Sequence, residues 1–218
     1  MNRRDFSVCL ASLGLGSTAL WASLPALAQG GAPVESVNYI RLGTPVPVSV
    51  PAGKIEVIEF FWYECPHCNA FEPALDAWQK KLPADVAFRR VPVAFRDIYI
   101  PQQQLFYALD AMGKVDTMHR RVFNAIHIDH QRLEQPAEIA AFMEKNGVDR
   151  AKFLEVFNSF SVQTKAKQAT RLAEAYKIDG VPALGIQGRY FTSGTLAGSP
   201  EKALGVTEYL VQTIRKGA

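Results

Sequence analysis

Apolar and polar residues change rhythm along this chain, and each change marks an element. "KIEVIEFFWY", Lys54 to Tyr63, is dense in β-branched and aromatic residues and predicts a buried strand. Beyond it the period lengthens: Phe71, Leu75, Trp78 and Leu82 recur at helical spacing, Pro66 suits a first helical turn, and Pro83 ends the run. "DVAFRRVPV", Asp85 to Val93, predicts a second strand. From Pro101 to about Phe160 the pattern is helical, in "QQQLFYALDAM" broken by Gly113, "VDTMHRRVFNAIH", "QPAEIAAFMEKNG" stopped at Gly147, and "DRAKFLEVFNSF" opened by Asp149. A long amphipathic helix, "VQTKAKQATRLAEAYKI", leads into "DGVPALGIQGRYF", two short strand-like runs turned at Gln187-Gly188. "SPEKALGVTEYLVQTIRK" predicts a closing helix capped by Ser199, with Pro200 in its first turn. Without the helical block near residues 99 to 163, the order is strand, helix, strand, helix, strand, strand, helix.

Composition bounds this α/β layout. With 48% apolar and 21% charged residues, 218 residues bury a core without metal or disulfide staples, as one domain with an insertion. The net charge of +3 is small and its Lys and Arg residues are scattered, which argues against a nucleic-acid footprint. At the N-terminus, Arg3 and Arg4 precede a moderately apolar stretch from Phe6 to Leu24 and then Ala26-Leu27-Ala28, the pattern of a cleaved export signal over residues 1–28. Gly14, Gly16 and Pro25 weaken the same stretch as a membrane anchor. "NRRDFS" is also similar to a twin-arginine signal, so both that route and general secretion stay open.

Cleavage would remove Cys9 and leave Cys65 and Cys68, both inside "CPHC". In an oxidising compartment such a pair serves as a structural bridge, a metal half-site or a redox centre. A bridge closing so small a loop restricts the unfolded chain by only about 2 kcal/mol. Zinc needs two more ligands, and the sequence offers no second cysteine pair; His127 and His130 in "HIDH" do not supply a site by themselves. Redox chemistry fits the spacing better. Because Pro66 opens a helix, Cys65 is placed at a helix N-terminus, where free N–H groups and the helix dipole favour a thiolate. His67, by donating a hydrogen bond or carrying charge, adds to that preference, and the Cys65 pKa is expected below the ~8.5 of a free cysteine. Whatever stabilises the thiolate stabilises the reduced protein against its disulfide, so the disulfide is expected to be an oxidant.

The element order, the Cys-Pro-His-Cys at the start of the first helix, the Val181-Pro182 before the third strand and the export signal together resemble the DsbA-type periplasmic thiol:disulfide oxidoreductases of the thioredoxin superfamily. The resemblance implies a thioredoxin fold, over residues 36–98 and 164–218, with an inserted α-helical domain at 99–163. It implies that Cys65 is the exposed attacking thiol and Cys68 its buried partner, within the tetrapeptide completed by Pro66 and His67. Pro182 would be a cis-proline whose loop, with Val181, packs beside the disulfide and meets an extended substrate peptide. Implied partners are unfolded or newly exported thiol-containing proteins and a DsbB-like inner-membrane reoxidant, in the periplasm, with a monomeric enzyme, no bound cofactor and no metal.

Glu59 stands inside the apolar run "VIEFFWY", so it lies on a wet face or has a raised pKa. By the resemblance it matches a buried acid able to relay the Cys68 proton, and Glu72 matches a second acid nearby. Arg90 stands where the family has a lysine, and a guanidinium is harder to deprotonate, which leaves the relay open. Rival readings are a disulfide isomerase or reductase on the same scaffold, a non-enzymatic holdase, and a metal-binding chaperone. No N-terminal stretch is long enough for a separate dimerisation domain, and no Met-rich segment accompanies the cysteines.

Overall fold

The computed structural model describes residues 31–217, so the expected export signal at 1–28, with Cys9, lies outside the described residues. Strand β2 (Ile55–Phe61) is buried along all seven residues. It is central, which is why apolar residues face both sides of it and only Glu56 and Glu59 interrupt them. On one side it pairs in parallel with β3 (Val86–Pro92), and on the other antiparallel with β4 (Ala183–Ile186). The sheet continues through β5 (Tyr190–Ser193) to β1 (Ile40–Arg41), giving the order β1-β5-β4-β2-β3. The two-residue β1 is too short to leave a pattern in the sequence.

Successive residues of β2 point to opposite faces. Val57 packs with Phe71, Leu75 and Trp78 of α1 (Pro66–Gln79) and with Leu210 of α8 (Pro200–Arg215). Ile58 and Phe60 pack with Ala169 and Ala173 of α6 (Phe160–Ala175) and with Tyr176 just beyond it. Between β3 and α6 come a 3-10 turn (Asp97–Tyr99) and helices α2 (Ile100–Ala111), α3 (Val115–His127), α4 (Pro136–Lys145) and α5 (Arg150–Phe157). Their core, including Leu105, Val122, Phe123 and Phe153, is continuous with Phe61, Tyr63, Cys65 and Cys68. The dithiol thus sits where the helical block meets the sheet.

Three boundaries differ from the sequence pattern. Helix α1 ends at Gln79; Lys81 and Leu82 continue only as i→i−3 turns onto the carbonyls of Trp78 and Gln79, at 2.9 and 3.2 Å, before Pro83. Ser159 Oγ accepts from the Val162 N–H at 3.3 Å and starts α6 at Phe160, so the expected boundary at 163/164 falls inside one continuous helix. A short α7 (Gly194–Ala197), capped by Ser193, precedes α8. Pro73 lies within α1 and has no N–H for the Asn69 carbonyl. Arg120 of α3 donates to that carbonyl at 3.0 Å and to Asn69 Oδ1 at 2.9 Å, tying the helical block to α1. The β4–β5 hairpin turns at Gln187 and Gly188, with φ of 50° and 62°, the left-handed pair of a type I′ turn. Among the described residues no helix is long and apolar enough to cross a membrane.

Candidate active site at the start of α1

The chain leaves β2 and turns directly into α1, with Cys65 as the N-cap and Pro66 at the first helical position. Cys65 N–H donates to the Trp62 carbonyl at 3.0 Å, and the Cys68 N–H donates to Cys65 Sγ at 3.3 Å. The sulfur occupies the place a serine or aspartate oxygen takes in an ordinary N-cap, pointed at by an N–H with no partner in the helix. Both cysteines are free thiols. Cys68 is completely buried and Cys65 retains 6% exposure. Cys65 is therefore less open than the expected exposed thiol. The reason is the Val181–Pro182 loop, whose Val181 carbonyl oxygen lies 3.3 Å from Cys65 Sγ and covers it.

The two sulfurs ionise in opposite directions. A hydrogen bond from the Cys68 thiol, opposed by burial and assisted by the N–H groups of Cys68 and His67 and by the His67 imidazole, holds Cys65 down to about 6. Burial pushes Cys68 far up, and its hydrogen bond to Cys65, with the charges of Cys65 and Glu59, pushes it further. The site thus favours the anion at Cys65 and the protonated thiol at Cys68.

Val181–Pro182 is a cis peptide. Pro182 is buried and Val181 half-buried, while Pro66 and His67 are exposed on the other side of the sulfur. A groove of about 790 Å³ runs from His67 past Val181 and Pro182 to Phe191, Leu196 and Pro200. The structure thus brings Cys65, Pro66, His67, Cys68, Val181 and Pro182 to one place.

Glu59 and Glu72 meet one step further in. Glu59 is completely buried, and register pairs it directly with Arg90 on β3. Arg90 Nε donates to Glu59 Oε2 at 3.0 Å, while its Nη2 donates to Glu72 Oε2 at 3.2 Å and to Asp76 Oδ1 at 2.8 Å. Burial, with the nearby Glu72 charge, raises Glu59 to about 8, against the pull of Arg90. Of the two possibilities open for Glu59, its complete burial excludes the wet face. Burial alone would also raise Glu72, but His119, Arg90 and Arg120 together bring it below the ordinary carboxylate range. On the opposite face of the sheet the adjacent Arg89 donates to Glu56 at 3.1 Å. Two glutamates at odd spacing and two consecutive arginines therefore give each face its own buried glutamate paired with an arginine.

Asp76, Tyr63 and His119 belong to this cluster and were not singled out by sequence. The signal was present: Asp76 follows Glu72 by one helical turn, and His119 shares the inward stripe of "VDTMHRRVFNAIH" with Phe123. His127 Nε2 donates to the Tyr63 carbonyl at 2.8 Å, and His130 is exposed. No group of three His, Cys, Asp or Glu side chains is placed to hold a metal among the described residues.

Fold and site together define a thioredoxin-type protein with a dithiol at a helix N-terminus. Residues 100–201 match the family described as the DSBA-like thioredoxin domain. A thiol:disulfide interchange protein DsbA of Burkholderia cepacia is 44% identical over 213 residues, 98% of either chain. One of Bordetella pertussis is 45% identical over 217 residues, 99% of this chain and all of that one. The crystal structure of Pseudomonas aeruginosa DsbA superposes with a TM-score of 0.81 at 44% identity, covering 84% of this chain and 95% of that one. The oxidoreductase DsbA from Xylella fastidiosa gives 0.76 at 33% identity, covering 82% and 96%. The chain belongs to the DsbA family of thiol:disulfide interchange oxidoreductases.

Proposed function

We propose that the protein carries its activity at Cys65 and Cys68 and uses it to oxidise thiols of unfolded or newly exported proteins in the periplasm. The observation that carries this reading is a pair of free thiols three positions apart at a helix N-terminus, with Cys65 Sγ capping the helix and accepting from the Cys68 N–H at 3.3 Å while Cys68 is completely buried. A substrate thiolate attacks Cys65 Sγ of the oxidised enzyme; a substrate–Cys65 disulfide forms and the Cys65–Cys68 bond breaks. The electron pair leaves on Cys68, which takes up a proton. A second substrate thiolate then attacks the substrate sulfur of this mixed disulfide and expels Cys65 as a thiolate, a good leaving group because of its low pKa. The substrate loses two electrons and the enzyme gains two.

Reoxidation reverses the sequence with a disulfide donor, for which a DsbB-like inner-membrane protein is the reading the family supports. The Cys65 thiolate attacks one sulfur of the donor disulfide and releases the other as a thiolate; Cys68 gives up its proton, attacks Cys65 Sγ and expels the donor's remaining sulfur as a thiolate, which closes the Cys65–Cys68 bond. Glu59 is the proton partner of Cys68: with a pKa of about 8 it is supplied in both forms around neutral pH. Val181 and Pro182 offer backbone to an extended substrate peptide, with His67 across the groove. Residues 36–98 and 164–218 serve as the thioredoxin part and 99–163 as the inserted helical domain of a monomer that needs no bound cofactor.

Mixing the oxidised protein with a reduced, unfolded multi-cysteine protein tests this reading. Near-stoichiometric transfer of disulfides to the substrate is expected. No transfer from an equimolar oxidised enzyme, or transfer undiminished in a variant lacking both Cys65 and Cys68, would contradict it.

A further inference from the structure

His119 is a polar side chain in an apolar cage. It is 5% exposed, and its ring lies 5.1 Å from Phe61, 5.9 Å from Phe106 and 5.1 Å from Phe123, centroid to centroid. Burial holds its imidazole below the ordinary histidine range, so it is neutral at pH 7 and carries one N–H. Which nitrogen carries that proton follows from the neighbours. Tyr63 Oη lies 2.9 Å from Nδ1, and Glu72 Oε1 lies 3.3 Å from Nε2. Both atoms are buried and neither has a hydrogen-bond partner among the described residues, so each is the only group placed to meet the other across the 3.3 Å gap. A carboxylate only accepts, so the proton belongs on Nε2; the Tyr63 hydroxyl then donates to Nδ1. The contacts run in one order: Tyr63 to His119 Nδ1 at 2.9 Å, His119 Nε2 within 3.3 Å of Glu72, with Arg90 donating to Glu72 from the other side and to Glu59 beyond.

We propose that His119 is a positioning residue for proton exchange at Cys68: oriented by Tyr63, its imidazole fixes the Glu72 carboxylate against Arg90 and through that pair governs the proton held by Glu59. The proposal rests on the proton-exchange role assigned above to Glu59. The charged and titratable groups around the chain are Glu72 and Asp76 on α1, Glu59 on β2 with Tyr63 just past its end, Arg90 on β3, and Arg120 beside His119 on α3. Glu72 is the charge that most raises Glu59, so a Glu72 that loses its Nε2–H donor holds its own charge less well and raises Glu59 less. His119 touches neither sulfur nor substrate; its effect passes through Glu72.

The test reads the proton step directly. Cys65 is loaded with glutathione as a mixed disulfide, and glutathione release by Cys68 is followed from pH 5 to 9. His119→Phe is expected to move the inflection of the rate down by about one pH unit, about tenfold in proton affinity, with faster release below pH 7. His119→Gln, whose amide can donate to Glu72, is expected to return the inflection towards wild type. Tyr63→Phe, a milder change that keeps the ring, is expected to shift it in the same direction as His119→Phe. Glu72→Gln is expected to match that shift, and the double variant with His119→Phe to add nothing to it. Thiolate absorbance of Cys65 should stay in place throughout, whereas a general loosening of the site would move it. If Glu59→Gln abolishes the inflection but His119→Phe and Tyr63→Phe leave it at the wild-type pH, the role of His119 is overturned and that of Glu59 stands. An inflection unchanged by Glu59→Gln overturns both.

Discussion

Arg90 and Glu59 are register partners on adjacent strands, joined Nε to Oε2 at 3.0 Å with the carboxylate fully buried. The same guanidinium also serves Glu72 and Asp76, so one arginine is shared by three acidic side chains. Arg90→Met leaves them facing one another, and removing one partner of a buried pair costs about 3–5 kcal/mol. Thermal unfolding should show that loss near pH 8 and a smaller one near pH 5, where the acids can take up protons. Arg90→Lys should recover part of it, limited by the loss of the forked geometry.

Glu59→Gln should change how stability depends on pH. Glu59 is raised from 4.5 to about 8 in the folded protein. A raised folded pKa contributes stability that is complete below the unfolded value and lost as pH climbs through the folded one. Wild type should therefore lose stability between about pH 4.5 and 8 on account of this group, and the variant should not. Denaturant midpoints measured at both ends of that window check this: the variant should gain on wild type at pH 8, and an equal difference at both pH values would count against the raised pKa.

Cysteine variants should divide the roles of the two sulfurs. Cys68→Ser removes the resolving thiol and should accumulate covalent substrate adducts on Cys65, visible by non-reducing electrophoresis. Cys65→Ser leaves the fully buried Cys68 as the motif's one thiol and should trap little or nothing through it. Equal trapping by both variants would contradict the assignment.

Gly188 tests the hairpin that follows Pro182. Its φ is 62°, and a Cβ there would lie 1.9 Å from the Val46 carbonyl oxygen. Gly188→Ala should cost about 1–3 kcal/mol, since the backbone resists both the conformation and the contact. The thiolate absorbance of Cys65 should not change, because the clash is with the chain before β2 and not with the dithiol.

The parts of this protein visible in its sequence are those set by local chemistry. Pro66 and the stripe Phe71, Leu75, Trp78 announce α1, and Gly188 announces a turn, although Gln187 takes a positive φ of 50° that Asn, Asp or Gly would adopt more readily. The direction of the Cys65 shift could be argued from its place at a helix N-terminus. The degree of its burial could not, because the covering Val181 carbonyl is 116 positions away. Glu59 was conspicuous as a charge in an apolar run, but its cluster draws on β2, α1, β3 and α3. His119 and Asp76 acquire meaning only when those elements pack. The strand β1 escaped for a different reason: two residues on an edge carry no periodicity.

Titrating the reduced protein by thiolate absorbance near 240 nm measures the central claim most directly, since the drive to give up the disulfide is the preference of Cys65 for the anion. An inflection near pH 6, absent from Cys65→Ser, is the expected result. A single inflection near the ~8.5 of a free cysteine would contradict the account.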